Sequence, residues 1–495
     1  RSNMNYPNIP SNKEEEYKPL ALRFSKNVEL TNYLLRTDIN KIIEDIGYGQ
    51  MQVIITVFMC TSFIIEGMSI SFFNGFLNPM REFYAADSFS IDLATSFYFL
   101  GGFVSKLTVG PLSKAYGRKS ILGFSYIAII FAYCFIFLVK SLAILGIAAI
   151  FIGASIGYAN TLASNIQCEY LPNANRTLVL LSTYVFTSVG QIFVLVINIV
   201  VIPNNEVQKT QSAMLAVWVI SIFLSICNLF LIRDSPRNLA LNKQEGEFIK
   251  NINEMISYDK IKVNNQVKRR FLHLFFLNAN DKVNGDYSGI FSGKFKLTTI
   301  KYTFIMFSIS VVNSGLSSIT TSLLEYNNYT TDYELNKHQI YIFLITIVLC
   351  IVIGVFANFD MIGFKIMIYF SYSVIVALSI LMIIFTGAVH IMILFVVGFS
   401  IAGNNLASAI SQLTYPTKVR DHSSGYFAFI GKIGSFVSKI VCPILFDMNV
   451  RYSFILIASI SAVGVIMITT FIRKEPHMVP LDSELLIDDD EVNNN

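Results

Sequence analysis

Charged side chains inside long apolar stretches are the residues of this sequence with the clearest chemical potential. Glu66 lies in the middle of the first such stretch, and Lys439 lies at a comparable depth in the eleventh. An ionisable group in hydrocarbon is costly and is therefore a functional candidate by default. Glu66 could carry a coupled proton, recognise a cationic substrate or pair with Lys439. The alternative is a neutral or hydrogen-bonded carboxyl that only supports packing.

Two further lysines and several amides also fall in apolar stretches. Lys106 is close to the loop that follows the second stretch, and we expect it to snorkel to the lipid headgroups. Amide side chains commonly hydrogen-bond between membrane helices, and that role is the alternative to ligand binding for each of them. The amides on the predicted spans are Asn160, Asn165, Gln191, Asn313, Asn404 and Asn405.

The chain that must position these residues is built for a lipid solvent. It has 495 residues, of which 54% are hydrophobic and only 14% charged, whereas soluble proteins carry charge on roughly a quarter of their residues. About twelve apolar runs approach the roughly 20 residues that a helix needs to cross the hydrocarbon core. Because lipid admits only helices or closed barrels, and these runs are too long for barrel strands, we predict an all-α integral membrane bundle. The runs begin near Met51, Phe89, Ser120, Ser141, Arg176, Ala213, Thr299, His338, Phe364, Ala388, Gly425 and Tyr452.

The loops indicate an orientation and exclude other classes of protein. Lys and Arg gather on one set of loops, and Asp and Glu gather on the opposite set. By the positive-inside rule, both termini face the cytosol or a matrix-like compartment. The plasma membrane or a vesicle is favoured, and the mitochondrial inner membrane is the alternative. The sequence has no Walker loop, no metal-ligand spacing and no nucleophile–base arrangement. We therefore predict a protein that is not an enzyme and that has no cofactor, no metal and no nucleic-acid partner.

Two segments at the ends of apolar runs look like copies of one another. Residues 169–177 read EYLPNANRT, and residues 413–425 read LTYPTKVRDHSSG. In each segment a Pro precedes an Arg by four residues, at Pro172 and Arg176 and again at Pro416 and Arg420. A duplication within a helical membrane protein is typical of transporters.

Other segments occupy helix ends in a recognisable order. Residues 110–119 read GPLSKAYGRK, and residues 233–239 read RDSPRNL. With the two Pro-to-Arg loops, these segments resemble the signature segments of the major facilitator superfamily. Residues 46–52 (IGYGQMQ) and 415–420 (YPTKVR) resemble the branch that contains sugar porters, organic-ion transporters and synaptic-vesicle glycoproteins.

The resemblance implies a twelve-helix major facilitator fold made of two six-helix pseudo-repeats, which alternates between inward-open and outward-open states. Its central cavity is lined mainly by spans one, four, seven and ten, and Lys432 stands where the family often has a structural Arg. The implied substrate- or proton-binding candidates are Glu66, Asn160, Asn313, Asn404, Asn405 and Lys439. The implied conformational gate consists of Gly110, Gly117, Arg118, Lys119, Glu169, Arg176, Arg237 and Arg420.

Three positions depart from the family pattern. The Asp expected in the loop between spans two and three is Lys114, and the Arg expected in span four is Ala149. In the family these two residues interact to latch the outward-open state, so we predict that this latch is absent. The acidic residue expected shortly before Pro416 is Leu413, whereas Glu169 is retained in the first copy.

Two functional hypotheses follow. The first is a secondary active or facilitative transporter of a small organic solute, in the manner of a symporter if protons are coupled. The second, motivated by the three departures, is a transport-inactive subunit of a larger membrane complex, with partner subunits. The expected organisation is an N-terminal arm (1–46), a six-helix bundle (47–233), a linker (234–298), a second six-helix bundle (299–473) and an acidic tail (474–495).

Overall fold

The computed structural model describes most of the apolar chain. The predictions for the N-terminal arm, for much of the linker and for the acidic tail lie outside the described residues. The described ranges are 43, 48–75, 80, 83–138, 141–201, 207–241, 247, 250–251, 254–255, 286–291, 295–326, 332–359, 363–385 and 389–471.

Twelve long helices account for the twelve predicted spans, and every regular element in the described ranges is a helix. Eleven are long and apolar enough to cross a membrane, and the twelfth, Ser88–Tyr116, is 29 residues long and contains Lys106. The helices are α1 (Gln50–Gly75), α2 (Ser88–Tyr116), α3 (Arg118–Leu138), α4 (Leu142–Tyr170), α5 (Asn173–Val201), α6 (Val207–Leu231), α7 (Phe295–Tyr326), α8 (Asp332–Ala357), α9 (Gly363–Ile384), α10 (Val389–Thr414), α11 (Thr417–Met448) and α12 (Val450–Phe471). Two short helices, Pro236–Leu241 and Tyr287–Phe291, lie between the halves of the chain.

The first half (α1–α6) and the second half (α7–α12) repeat the same internal contacts. In the first half, Tyr126 of α3 hydrogen-bonds to Ser62 of α1 at 2.5 Å. In the second half, Tyr372 of α9 hydrogen-bonds to Ser308 of α7 at 2.7 Å. Both pairs are separated by 64 residues in sequence. The predicted two-fold repeat of six helices is therefore visible in buried side-chain contacts.

Two glycines with positive φ mark equivalent turns in the two halves. Gly117 (φ 81°) separates α2 from α3, and Gly363 (φ 64°) begins α9 after α8. Glycine adopts this left-handed conformation without the steric cost that other residues meet. We call the end of the bundle that carries Gly117, Leu171 and Pro416 the motif end.

Glycines also allow α2 and α4 to pack at close range. A side chain added at Gly153 of α4 would collide with the Tyr98 carbonyl of α2, and one added at Gly157 would collide with the Ser105 hydroxyl. Such small residues let helix backbones approach each other in a membrane. The Gly-x-x-x-Gly pattern of residues 153–157 therefore forms a close helix contact within the first half.

The two halves meet along two pairs of helices, α2 with α11 and α5 with α8. On the first seam, Phe103 of α2 packs against Phe429 of α11 with ring centroids 4.6 Å apart. On the second seam, Leu181 of α5 faces Gly354 of α8. These seams bring the candidate site residues of both halves together.

The packing of α4 on α2 generates a first prediction. Gly153→Ala should destabilise the protein, because overpacking a tight core contact costs roughly 1–3 kcal/mol. Gly123→Ala is the matched control: its new methyl group meets open space, and alanine favours a helix by about 1 kcal/mol over glycine. Thermal unfolding of the two purified variants should shift in opposite directions. Equal shifts would contradict the close α2–α4 contact.

Candidate functional site

Four charged side chains form a buried cluster at the motif end. Arg118, at the start of α3, donates to Glu169 Oε2 at 2.8 Å and to Asp421 Oδ2 at 2.8 Å. Arg420 of α11 donates to the other oxygen of that carboxylate, Glu169 Oε1, at 2.6 Å. The side chains of Arg118, Glu169 and Arg420 are at most 2% exposed. Two guanidinium groups thus balance two carboxylates, and the pairs Arg118–Asp421 and Arg420–Glu169 join the two halves.

The two repeated loops orient their arginines by the same local geometry. Arg176 Nη2 donates to the Leu171 carbonyl at 3.0 Å, and Arg420 Nη2 donates to the Tyr415 carbonyl at 3.0 Å. In both loops the acceptor is five residues earlier, next to the end of the preceding helix. Carbonyls at a helix C-terminus lack a partner within the helix, and a cation there is favourable. The similarity of the two sequences therefore reflects a shared turn.

Asp421 is a member of the cluster that the sequence analysis did not single out. It accepts hydrogen bonds from Arg118 and, at 2.8 Å, from Asn165 Nδ2 of α4. The signal lies in a comparison of the two copies, because the residue after the arginine is Thr177 in the first and Asp421 in the second. The second copy therefore lacks a carboxylate at Leu413 but has one eight residues later.

The segment after α6 also contacts the cluster. Ser235 Oγ donates to Glu169 Oε2, and Arg237 is only 2% exposed. Burial raises the pKa of the neighbouring Asp234 carboxyl, and the charge of Arg118 opposes this rise. The predicted gate residues Arg118, Glu169, Arg237 and Arg420 are thus buried at one end of the molecule.

Two predicted gate glycines let α2 and α11 come together at the same end. A side chain at Gly110 of α2 would collide with His422 of α11, and one at Gly425 of α11 would collide with α2 at Val109. Lys119, the residue after Arg118, is exposed. Closure of the motif end therefore requires glycine at both positions.

A short stretch of the linker, residues 286–291, lies across this α2–α11 seam, and we call it the strap. Lys114 at the end of α2 donates to Asp286 at 2.5 Å. This hydrogen bond, together with the Lys114 charge, lowers the pKa of Asp286. Tyr287 Oη donates to the Leu107 carbonyl of α2 at 2.5 Å, and its ring meets His422 of α11 with centroids 4.9 Å apart. The strap therefore contacts both halves at once.

The latch of the family was expected to be absent, and other contacts are found in its place. Lys114 stands where an acidic residue was expected, but Asp286 of the strap supplies the opposite charge. Ala149 is fully buried and leaves no charge to compensate. The motif end is held by Arg118, Asp421 and the strap instead.

Lys106 does not snorkel to the headgroups, and this expectation was wrong. Its Nζ donates to the Gly157 carbonyl at 3.0 Å and to Thr161 Oγ1 at 2.6 Å, both on α4. The reason is that α4 packs closely on this part of α2 and offers two oxygen acceptors, which satisfy the ammonium group inside the bundle. Lys106 lies within electrostatic range of Glu66, which is half-buried.

Lys439 does not pair with Glu66 in the described part of the chain. Its Nζ lies 3.6 Å from the centre of the Phe99 ring of α2, as a cation–π contact. Lys432, one heptad earlier on α11, lies within electrostatic range of both Lys106 and Lys439. Lys432 was expected to have a structural role, yet it lies near Lys106 and near the candidate residue Lys439.

The four candidate amides occupy three different environments. Asn160 is 5% exposed, and neither of its side-chain polar atoms has a hydrogen-bond partner. Asn313 accepts from Ser400 at 3.1 Å, and Asn404 accepts from Ser310 at 3.5 Å, so both link α7 to α10.

Asn405 faces a different direction from the other three amides. Its amide reaches Cys350 of α8 at 3.7 Å, and it lines a small cavity beside Leu181 and Gly354. It therefore lies on the α5–α8 seam rather than with Glu66.

The described residues together define a class of protein. Two repeated halves of six membrane helices close on each other at one end through buried ion pairs, and charged side chains lie half-buried between them. In those same ranges, no group of three or more His, Cys, Asp or Glu side chains could hold a metal ion. These are the features of a transporter-type helical bundle built by duplication.

The family profile of the Major Facilitator Superfamily matches residues 59–439. The chain belongs to this superfamily. It is 23% identical over 292 residues to the Synaptic vesicle 2-related protein of Bos taurus, and 23% identical to that of Rattus norvegicus. The match covers 57% of this chain and 49% of the relative, so the chain spans about half the length of the curated relatives it matches.

Solved structures show the same fold. The MFS proton:xylose symporter XylE superposes with a TM-score of 0.69 at 11% identity, over 86% of this chain and 98% of that one. The E. coli fucose:proton symporter FucP superposes with a TM-score of 0.61 at 14% identity, over 86% of this chain and 100% of that one. The twelve-helix prediction is confirmed.

The buried cluster generates a second prediction. Asp421→Asn should open the motif end, because removing one partner of a buried ion pair costs about 3–5 kcal/mol in the closed state. Spin labels at Tyr116→Cys and Phe359→Cys, which are exposed on opposite halves, report the separation by electron-resonance distance measurement in a background without native cysteines. The longer-distance population should rise at least about tenfold, a change that takes 1.4 kcal/mol.

The matched control is Asp447→Asn, which removes an exposed carboxylate at the other end of the same helix. It should leave the distance distribution unchanged. The same distribution for Asp421→Asn and for the unmodified chain would contradict a role for this carboxylate in closure.

The strap generates a third prediction. Lys114→Asp or Asp286→Lys alone should loosen residues 286–291, and the double variant should restore the contact with the charges exchanged. Because both side chains are largely exposed, the change in amide hydrogen exchange of this segment should be only a few-fold. Additive losses in the double variant would show that the two side chains do not interact.

Proposed function

We propose that the protein is a secondary transporter that moves a small organic solute across a membrane by alternating access. The supporting observation is a charged central region beside an end that is closed by ion pairs between the halves. Glu66 and Lys106 lie half-buried in that region, and the pair Arg420–Glu169 lies at the motif end. Counted at 1.5 Å per residue, Glu66 is about 24 Å from the motif end of its helix.

The ion pairs have the chemistry of a reversible latch. Inside the protein the cluster is neutral overall, and its guanidinium and carboxylate groups are satisfied by one another. When the halves separate, the same groups become hydrated, so both states avoid an unpaired buried charge. Interfaces of this kind have two discrete arrangements rather than a continuum.

The orientation of this latch belongs to the proposal. The motif end carries Lys114, Arg118 and Lys119, so the positive-inside rule puts it on the cytosolic or matrix-like side. The conformation described here would then be closed to that side. Glu66 is the side chain that we propose as the carrier of a coupled proton, because it is the carboxylate of this central region.

The alternative of a transport-inactive subunit loses most of its motivation. It rested on Lys114, Ala149 and Leu413. Lys114 is paired with Asp286, and Asp421 supplies a carboxylate near the one missing at Leu413. Ion pairs that can become hydrated when the halves separate suit an alternating-access cycle.

Uptake into proteoliposomes tests the proposal. The purified protein is reconstituted, exposed to a mixture of small organic acids, amines and sugars under an imposed pH gradient, and the internal solutes are identified by mass spectrometry. At least one class of solute should reach a higher internal concentration than in protein-free liposomes. No accumulation under either gradient direction, together with a single distance between the spin labels at positions 116 and 359, would favour the subunit hypothesis.

Glu66 generates a fourth prediction. Glu66→Gln should abolish the dependence of uptake on the pH gradient, because an amide of similar shape cannot exchange a proton. Uptake down the solute's own gradient should persist. Glu247→Gln, at an exposed position of the linker, is the matched control. Gradient-driven uptake that survives in Glu66→Gln would remove this residue from the coupling role.

A further inference from the structure

We propose that the central region binds an organic anion, held through a carboxylate or phosphate group by Lys106, Lys432 and Lys439. This inference rests on the proposed transport function, because it names the class of solute. It reverses the expectation of a cationic substrate that Glu66 alone suggested.

Positively charged side chains outnumber negatively charged ones in the interior of the bundle. Four charged side chains lie more than two turns from both ends of their helices: Glu66, Lys106, Lys432 and Lys439. Three are cationic and one is anionic. Charged groups at this depth are costly unless they are paired or hydrated, so a region with this excess of positive charge favours an anionic ligand.

The three lysines converge from two helices that belong to different halves. On α11, residues 422, 425, 429 and 432 follow helical spacing, and His422, Gly425 and Phe429 all contact α2. Lys432 therefore lies on the α2-facing stripe of α11, one turn beyond Phe429, and Lys439 follows one heptad later over Phe99 of α2.

The directions of the side chains bring their amino groups toward one level. Side chains tilt toward the N-terminus of their helix, so Lys432 and Lys439 of α11 reach toward the motif end and hence toward the level of Lys106. The Lys106 ammonium group is held at that level by Gly157 and Thr161 of α4. Lys432 lies within electrostatic range of both other lysines.

Asn160 provides an independent sign of a polar binding site. It precedes Thr161, which receives the Lys106 hydrogen bond, and it is 5% exposed with both amide atoms unpartnered. An unsatisfied buried polar group costs roughly 1–3 kcal/mol and is rare in native proteins. An amide donor beside lysine ammonium groups suits the oxygens of a carboxylate or phosphate.

The Glu66 carboxylate carries the charge opposite to that of the three lysines. Among the described residues, it is the carboxylate that lies more than two turns from both ends of its helix, and it is within electrostatic range of Lys106. A bound anion and the Glu66 carboxylate would compete for the same lysine, so protonation of Glu66 would favour anion binding. Proton and anion would then bind together, which links the solute class to the proposed coupling residue.

Retention of ligands by the purified protein tests the inference without transport. The protein in phosphatidylcholine nanodiscs, which contain no anionic lipid, is dialysed against a defined mixture of organic carboxylates, phosphate esters, amines and neutral sugars. Retained compounds are measured by mass spectrometry. Carboxylates or phosphate esters should be retained, and Lys106→Gln and Lys432→Gln should each reduce their retention at least about tenfold, the usual loss with a charged hydrogen bond.

The variants are chosen to keep the fold and isolate the charge. Glutamine at position 106 retains amide donors for the Thr161 and Gly157 contacts, Lys432→Arg restores the positive charge, and Lys337→Gln makes the same change at an exposed site. Lys337→Gln should retain anions normally, and Lys432→Arg should retain them better than Lys432→Gln.

Each other outcome overturns the inference. Retention of amines or sugars instead of anions, retention of anions that is insensitive to both glutamine variants, or no retention at all would each contradict an anion site at these lysines. The uptake experiment separates this failure from failure of the proposed function, since accumulation of a cationic or neutral solute would leave transport intact.

Discussion

The carboxylate of Glu169 is the point on which the closed arrangement depends. Each of its oxygens receives a guanidinium from a different half, Arg118 on one side and Arg420 on the other, and the carboxylate is fully buried. A buried ion pair is not by itself a source of stability, because desolvation offsets the attraction. Its value here is positional: the charge is satisfied only when both halves present their arginines, so the cluster specifies one docking of the halves and disfavours intermediate ones.

The departures from the family pattern become intelligible once charges are counted across the whole motif end. Lys114 would repel the neighbouring Arg118 if nothing intervened, but Asp286 of the strap lies against it. Leu413 removes an acidic group from the second copy, and Asp421 supplies one that reaches Arg118 across the seam. The two halves have therefore diverged in where they hold charge while the junction as a whole stays balanced.

The sequence predicts the helices well and the directions of side chains poorly. Hydrophobic length is sufficient for the twelve spans, because each must cross the same thickness of lipid. The course of Lys106 depended on acceptors that α4 offers rather than on distance from the loop. The role of Asp421 became visible only through a partner 303 residues away. Asn404 contacts α7 within the second half, whereas Asn405, the next residue, faces the α5–α8 seam. A single sequence could not predict these contacts, because they join segments that are far apart along the chain.

The central lysines and the motif-end cluster act through the same two helices. Lys106 and Gly110 lie on α2, Lys432 and Gly425 lie on α11, and Phe103 packs against Phe429 on the same seam. An anion bound between Lys106 and Lys432 would draw α2 and α11 together at the level of the cavity, and the glycines allow them to close at the motif end. Since a ligand shifts an equilibrium only by its differential affinity for the two states, a solute that neutralises charges on both helices has the means to bias closure. The placement of the lysines on the seam itself, rather than within one half, therefore gives solute binding a physical route to the latch.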